Sequence, residues 1–177
     1  MGVVSRTGLA VVVAVSGVQE AARFAGRWEV GLAGADQPAQ PYHAAAGLDL
    51  ARAAELIGQA EQGAVEAAVA GLRGVADSLP AAADVRGVAV AVKAVRVPDS
   101  IADVLRSHAW MHAAEGMLYR EAVLAATQQC GWKAHGVDVS SLQGAEQVLA
   151  ELGRAAGRPW RRIEKDAARA ALTLLPA

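Results

Sequence analysis

The chain has 177 residues, a formal net charge of −1, 54% hydrophobic residues and only 4% aromatics. That length fits a single domain, 1–177, whose core is built from small side chains, and the composition excludes general disorder. The near-neutral charge excludes a global field for nucleic acid or anionic membrane, so either partner would need a local patch. The single cysteine, Cys130, excludes an intrachain disulfide and a multi-cysteine zinc site. It reads as a small core residue and fits a reducing, cytoplasmic location.

The first apolar run, GLAVVVAVSGV (8–18), is too short for a bilayer, which needs ~20 residues, so no membrane span is expected. Arg6 ahead of it and AVSG near its end imitate a secretory leader and its cleavage site. A valine-rich run that ends at Ser-Gly predicts a strand covered on both faces instead. RFAGRWEVGLAG (23–34) alternates weakly and breaks at glycines, which predicts one or two further strands. ADQPAQP (35–41) is loop, and PYHAAAG carries His43 toward the next helix.

From Asp49, a plausible N-cap, the pattern turns helical to Leu79, where Pro80 stops it. Leu50, Ala54, Ile57, Ala64, Ala68, Leu72, Val75 and Leu79 share one face, with Gly58, Gly63, Gly71 and Gly74 as points of bending or division. Glu61 falls on that face and reads as an edge residue reaching solvent. GVAVAVKAVRV (87–97) predicts the clearest strand, ended by Pro98, and helix follows from about Ser100 to Cys130. A short strand near WKAHGVDV (132–139) holds His135. The tail is helical, opened by Ser140 or Ser141, broken at GRP (157–159), and closed by WRRIEKDAARAALTLL. Strands alternating with helices after an N-terminal meander predict an α/β domain, a mixed five-stranded sheet with helices on its faces.

That order resembles the ribonuclease H-like superfamily, and within it the Holliday-junction resolvases, over most of the chain and most clearly from Val88 to Leu175. The resemblance implies a cluster of carboxylates binding two divalent metals. It has one aspartate on the first strand, a glutamate on the fourth, and one or two aspartates at the start of the last helix. In this chain VVVAVSG has Val15 and Ser16 at the first of these places, and VAVKAVRV has Lys93 at the second. Only Asp166 in IEKDAARAAL matches the third, with Glu164 nearby. The expectation is a nuclease-related protein without two-metal cleavage that either retains nucleic-acid binding or has taken up other chemistry on its middle helix; the alternatives are a small-molecule or metal-dependent enzyme and a non-catalytic dimeric interaction subunit.

The stretch SHAWMHAAEGMLYRE (107–121) offers different chemistry. At 100° per residue from Ile101, the residues His108, His112, Glu115 and Tyr119 fall within about 60° of the line of Ile101, Leu105, Ala122, Val123 and Ala126. Three readings stand. One is a satisfied internal network, with Glu115 accepting from His112 and Tyr119 bonding the sheet. A second is an acid/base cluster acting on a small molecule, with His43 as a further member from a loop. The third is a divalent-metal site formed by His108, His112 and Glu115, ligand types that zinc or iron accepts. Ala109 after the first histidine departs from the zincin motif.

RPWRRIEK (158–165) gathers Arg158, Arg161, Arg162 and Lys165 around Trp160. This is either a phosphate- or base-binding patch or a solvated first turn with Trp160 as a packing anchor. On the far side of the middle helix lie Trp110, Met117, Met111 and Leu118. That apolar surface predicts either a homodimer or cover from the long first helix.

Overall fold

The computed structural model describes residues 1–81 and 83–177. Five strands form one sheet: β1 (Gly2–Arg6), β2 (Leu9–Ser16), β3 (Arg23–Gly31), β4 (Gly87–Ala91) and β5 (Lys133–Val137), in the order β3-β2-β1-β4-β5. β1, β2 and β3 form an antiparallel meander, while β4 lies parallel to β1 and β5 parallel to β4. The two parallel pairings require crossovers, which the chain makes through helices.

These are α1 (Pro41–Ala45) and α2 (Leu50–Asp77) before β4, then α3 (Ile101–Leu105) and α4 (His108–Gln129) before β5. The chain closes with α5 (Glu146–Ala156) and α6 (Arg162–Leu172).

Alternation along the strands divides the interior in two. Val3, Ala10, Val12, Ala14, Val30, Val88 and Val90 face a main core completed by α1 to α4. Val13, with Val4, Val15 and Phe24, faces a smaller core under α5 and α6. The sheet is thus sandwiched between two helical layers, as the sequence pattern predicts.

Four details differ from the sequence reading. β1 is the first strand, so the valine run 9–16 is the second. Its GVVSR sequence, short and half polar, carries no periodic signal. β4 ends at Ala91 rather than Val97; Val92 still donates to the Val137 carbonyl at 2.9 Å, and β5 stops there. The helix read as one piece from Ser100 to Cys130 breaks at Arg106–Ser107, where the Ser107 hydroxyl accepts from Trp110 N–H at 3.4 Å and starts α4. Ser140 and Ser141 do not open a helix; both bond Asp138 in a turn, and α5 begins at Glu146.

The long α2 is unbroken. Asp49 caps it by accepting from Arg52 N–H at 3.0 Å. Two of its glycines are points of close approach: a Cβ on Gly71 would collide with Val30 Cγ1, and one on Gly63 with Gln37 Oε1. α2 also packs along α4. On α4, Met111 and Leu118 are buried in the main core, Met117 is half-buried and Trp110 is exposed. The expected outer apolar surface of α4 is therefore reduced largely to Trp110, since Met111 and Leu118 lie in the main core.

Candidate functional site

The polar stripe of α4 is real in spacing but changes environment along its length. Glu115 and Tyr119 are buried, whereas His108 and His112 are exposed. The break at Ser107 starts α4 afresh at His108. α4 packs against α1, α2 and α3 and against the strands β1, β4 and β5.

His43 stands opposite, and it is helical rather than loop. Pro41 opens α1 in the first-turn position where its missing N–H costs nothing. Tyr42 and Ala45 are buried, and the Tyr119 hydroxyl donates to the Ala39 carbonyl at 2.8 Å, which ties the approach of α1 to α4. Tyr119 therefore bonds this loop and not the sheet. Burial pushes its phenol up to about 12, with Glu115 adding to the effect. Tyr42 is raised by burial and by the charges of Glu61 and Glu115. Glu61 itself is exposed, as read from the sequence.

Glu115 is turned mainly to His43 rather than to His112. Its Oε1 lies 2.8 Å from His43 Nδ1 and accepts from the His43 backbone N–H at 3.3 Å. His112 Nδ1 is 3.8 Å from Oε2, outside hydrogen-bond range. The three imidazoles crowd together, with ring centroids 4.5 Å apart for His43–His112 and for His108–His112, and 4.9 Å for His43–His108. Among the described residues, the group whose ligand atoms converge is His43, His108 and His112, all within 4.8 Å of one another. The sequence set of His108, His112 and Glu115 thus gives way to one in which His43 takes the third place. The sequence offers His43 as a further member from a loop, and it reaches this group from α1.

Asp166 does not join this cluster. It sits on α6, which belongs to the opposite face of the sheet, and it pairs with Arg169 at 3.3 Å and Arg162 at 3.6 Å. Its neighbour Glu164 is buried and accepts from Arg161 N–H at 2.8 Å and from the Arg161 guanidinium at 2.9 Å. Burial acts to raise the Glu164 carboxyl, but the hydrogen bonds from Arg161 outweigh it and leave the group below its ordinary range.

β1 and β4 carry no carboxylate at all, since their sequences are GVVSR and GVAVA. Lys93 lies beyond the end of β4, where its carbonyl accepts from Arg120 at 3.0 Å. Its charge joins the Ser140 hydroxyl and N–H, the larger influences, in lowering the Asp138 carboxyl.

In the basic segment, Trp160 is half-buried, packing edge-on against Phe24 at 6.3 Å beside the smaller core. Arg161 is held by Glu164 and lies 3.7 Å from Glu29. Arg158, Arg162 and Lys165 are exposed, although Arg162 approaches Asp166. His135 is exposed on β5. No described helix is long and apolar enough to cross a membrane.

No protein-family model matches the chain, and no curated protein matches it. Among solved structures it is similar to that of RuvC from Thermus thermophilus, with a TM-score of 0.52 and 18% identity, over 97% of this chain and 90% of that one. At that identity the likeness is one of fold. The mixed sheet in the order β3-β2-β1-β4-β5, clad by helices on both faces, is the α/β, ribonuclease H-like fold that the two structures share.

Proposed function

We propose that the chain is a nuclease-related ribonuclease H-like protein that binds nucleic acid without cutting it by a two-metal mechanism. One observation carries the reading: no acid lies on β1 or β4, and the two acids of α6 are engaged by arginines. Two divalent ions a few ångströms apart need several converging anionic oxygens to activate water and stabilise the leaving oxygen. Lys93 beyond β4 and Arg6 ending β1 supply charge of the wrong sign.

The binding half of the proposal rests on Arg158, Arg162 and Lys165, exposed at the start of α6 and suited to phosphate contacts that position a backbone without reading sequence. With a net charge of −1 the interaction is local and weakens steeply with salt. The test is incubation with branched and duplex DNA in magnesium or manganese, followed by native and denaturing gels. The expected result is a salt-sensitive shift, reduced at least several-fold in Arg158→Ala/Lys165→Ala, with no cleavage. Cleavage abolished by Asp166→Asn overturns the first half, and a shift indifferent to the double variant overturns the second.

We also propose association into a homodimer through the surface around Trp110, whose large exposed indole is poorly suited to solvent. The prevalence of two-fold dimers among soluble assemblies supports that choice of stoichiometry.

A further inference from the structure

We infer that His43, His108 and His112 bind one zinc-class divalent transition-metal ion, with Glu115 orienting His43 and the fourth coordination position open to solvent. Two of the ligands come from one helix face, four residues apart, a spacing that sets side chains one above the other. The third arrives from α1, which Tyr119 holds against α4 through the Ala39 carbonyl. The candidate ligand atoms lie within 4.8 Å of one another. Tetrahedral zinc with Zn–N bonds of about 2.0–2.1 Å sets its nitrogens about 3.4 Å apart. His108 and His112 are both exposed, which leaves their rings room to turn toward that spacing.

Glu115 supplies the second, independent observation. Its carboxylate can only accept, so neutral His43 carries its proton on Nδ1 and leaves the Nε2 lone pair free. That Nε2 is buried and has no hydrogen-bond partner among the described residues. A carboxylate behind a histidine, fixing tautomer and ring orientation, is the arrangement that supports metal-bound imidazoles. The need for a cation shows on the carboxylate too. Glu115 is wholly buried and its Oε2 also lacks a hydrogen-bond partner among the described residues, so a divalent charge held beyond His43 would offset a buried anion.

Three imidazoles select zinc, cobalt, nickel or copper over magnesium and calcium, which prefer oxygen. The site is therefore distinct in ion, ligands and position from a two-metal carboxylate centre. It stands whether or not the chain binds nucleic acid.

The test uses the full chain without a histidine tag, stripped of metal and titrated with zinc against a chromophoric chelator, and separately with cobalt(II) under visible spectroscopy. The expected result is one ion per chain, intense cobalt bands of four-coordinate geometry, and no competition from millimolar magnesium. His108→Ala and His112→Ala, both at exposed positions, should each weaken zinc binding at least 10-fold, and His135→Ala should leave it unchanged. Glu115→Gln should weaken binding by about 10–100-fold while retaining the stoichiometry. If that buried substitution does not fold, the two exposed histidine variants decide the matter. Absence of stoichiometric zinc, or binding equally tight in wild type, His108→Ala and His112→Ala, overturns the site.

Discussion

Glu115 has no exposed surface and two hydrogen bonds, both to the same residue, so the residue that matters most to it is His43 rather than its helix neighbour His112. Removing one partner of a buried pair leaves the other without compensation, whereas truncating an exposed side chain changes little. His43→Ala should therefore destabilise the metal-free protein by about 2 kcal/mol or more. His112→Ala should stay within about 0.5 kcal/mol of wild type. Urea denaturation checks both, and an equal loss in the two variants would contradict the pairing. Tyr119 makes a further test. Tyr119→Phe loses the bond to the Ala39 carbonyl, which water can still reach, so the cost should be about 0.5–1.5 kcal/mol. Its phenol is raised to about 12 in the folded protein, by burial and then by Glu115. The unfolded chain releases that proton near pH 10 and the folded one only near 12, so stability should fall as pH rises through this window. The slope should flatten in Tyr119→Phe; an unchanged slope would place the effect elsewhere.

At the scale of elements, α2 carries four glycines in one continuous helix, and they do not play the same part. A Cβ on Gly58 or Gly74 meets nothing within 4 Å, while one on Gly71 collides with Val30. Gly58→Ala and Gly74→Ala should each raise stability by about 0.5–1 kcal/mol through helix propensity alone. Gly71→Ala should lower it, because β3 or α2 must shift to admit the methyl group. Thermal melts of the three single variants check the sign; three stabilising variants would mean that α2 is not seated on Val30. The division between α3 and α4 has a comparable origin. Ser107 is a weak interior residue but a good cap, and its hydroxyl at Trp110 N–H turns a possible continuous helix into two.

For the whole molecule, the sheet separates two sets of polar groups that the sequence presents as one inventory. The histidine cluster lies with α1 and α4 on one face, and Asp166 with its arginines lies with α6 on the other. No single substrate pose is needed to connect them. Assembly is the other question at this scale, and on α4 it narrows to one indole, since Met111 and Leu118 are buried. Sedimentation at micromolar protein should show two subunits, and Trp110→Glu should shift the species toward one. A wild-type monomer across that range would refute the dimer.

Much of the architecture was legible from one residue to the next. The valine run of β2, the apolar face of α2 with its Asp49 cap, and the alternation of strand and helix after β3 all depend on local periodicity, which the side chains write directly. The five-stranded mixed sheet followed from that order. β1 was not legible, because five residues including glycine, serine and arginine become a strand only when β2 and β4 supply hydrogen bonds on either side. β4 was overread for the converse reason: the apolar pattern runs on to Val97, but its partner strand ends at Val137. The spacing of His108, His112, Glu115 and Tyr119 on one helix face was likewise set by the sequence. What only the tertiary structure decided was which of them the core covers, and that Glu115 answers to a histidine from another helix. Periodicity fixes directions around a helix axis. Which turns lie over the sheet and which project past it is decided by the elements that pack there.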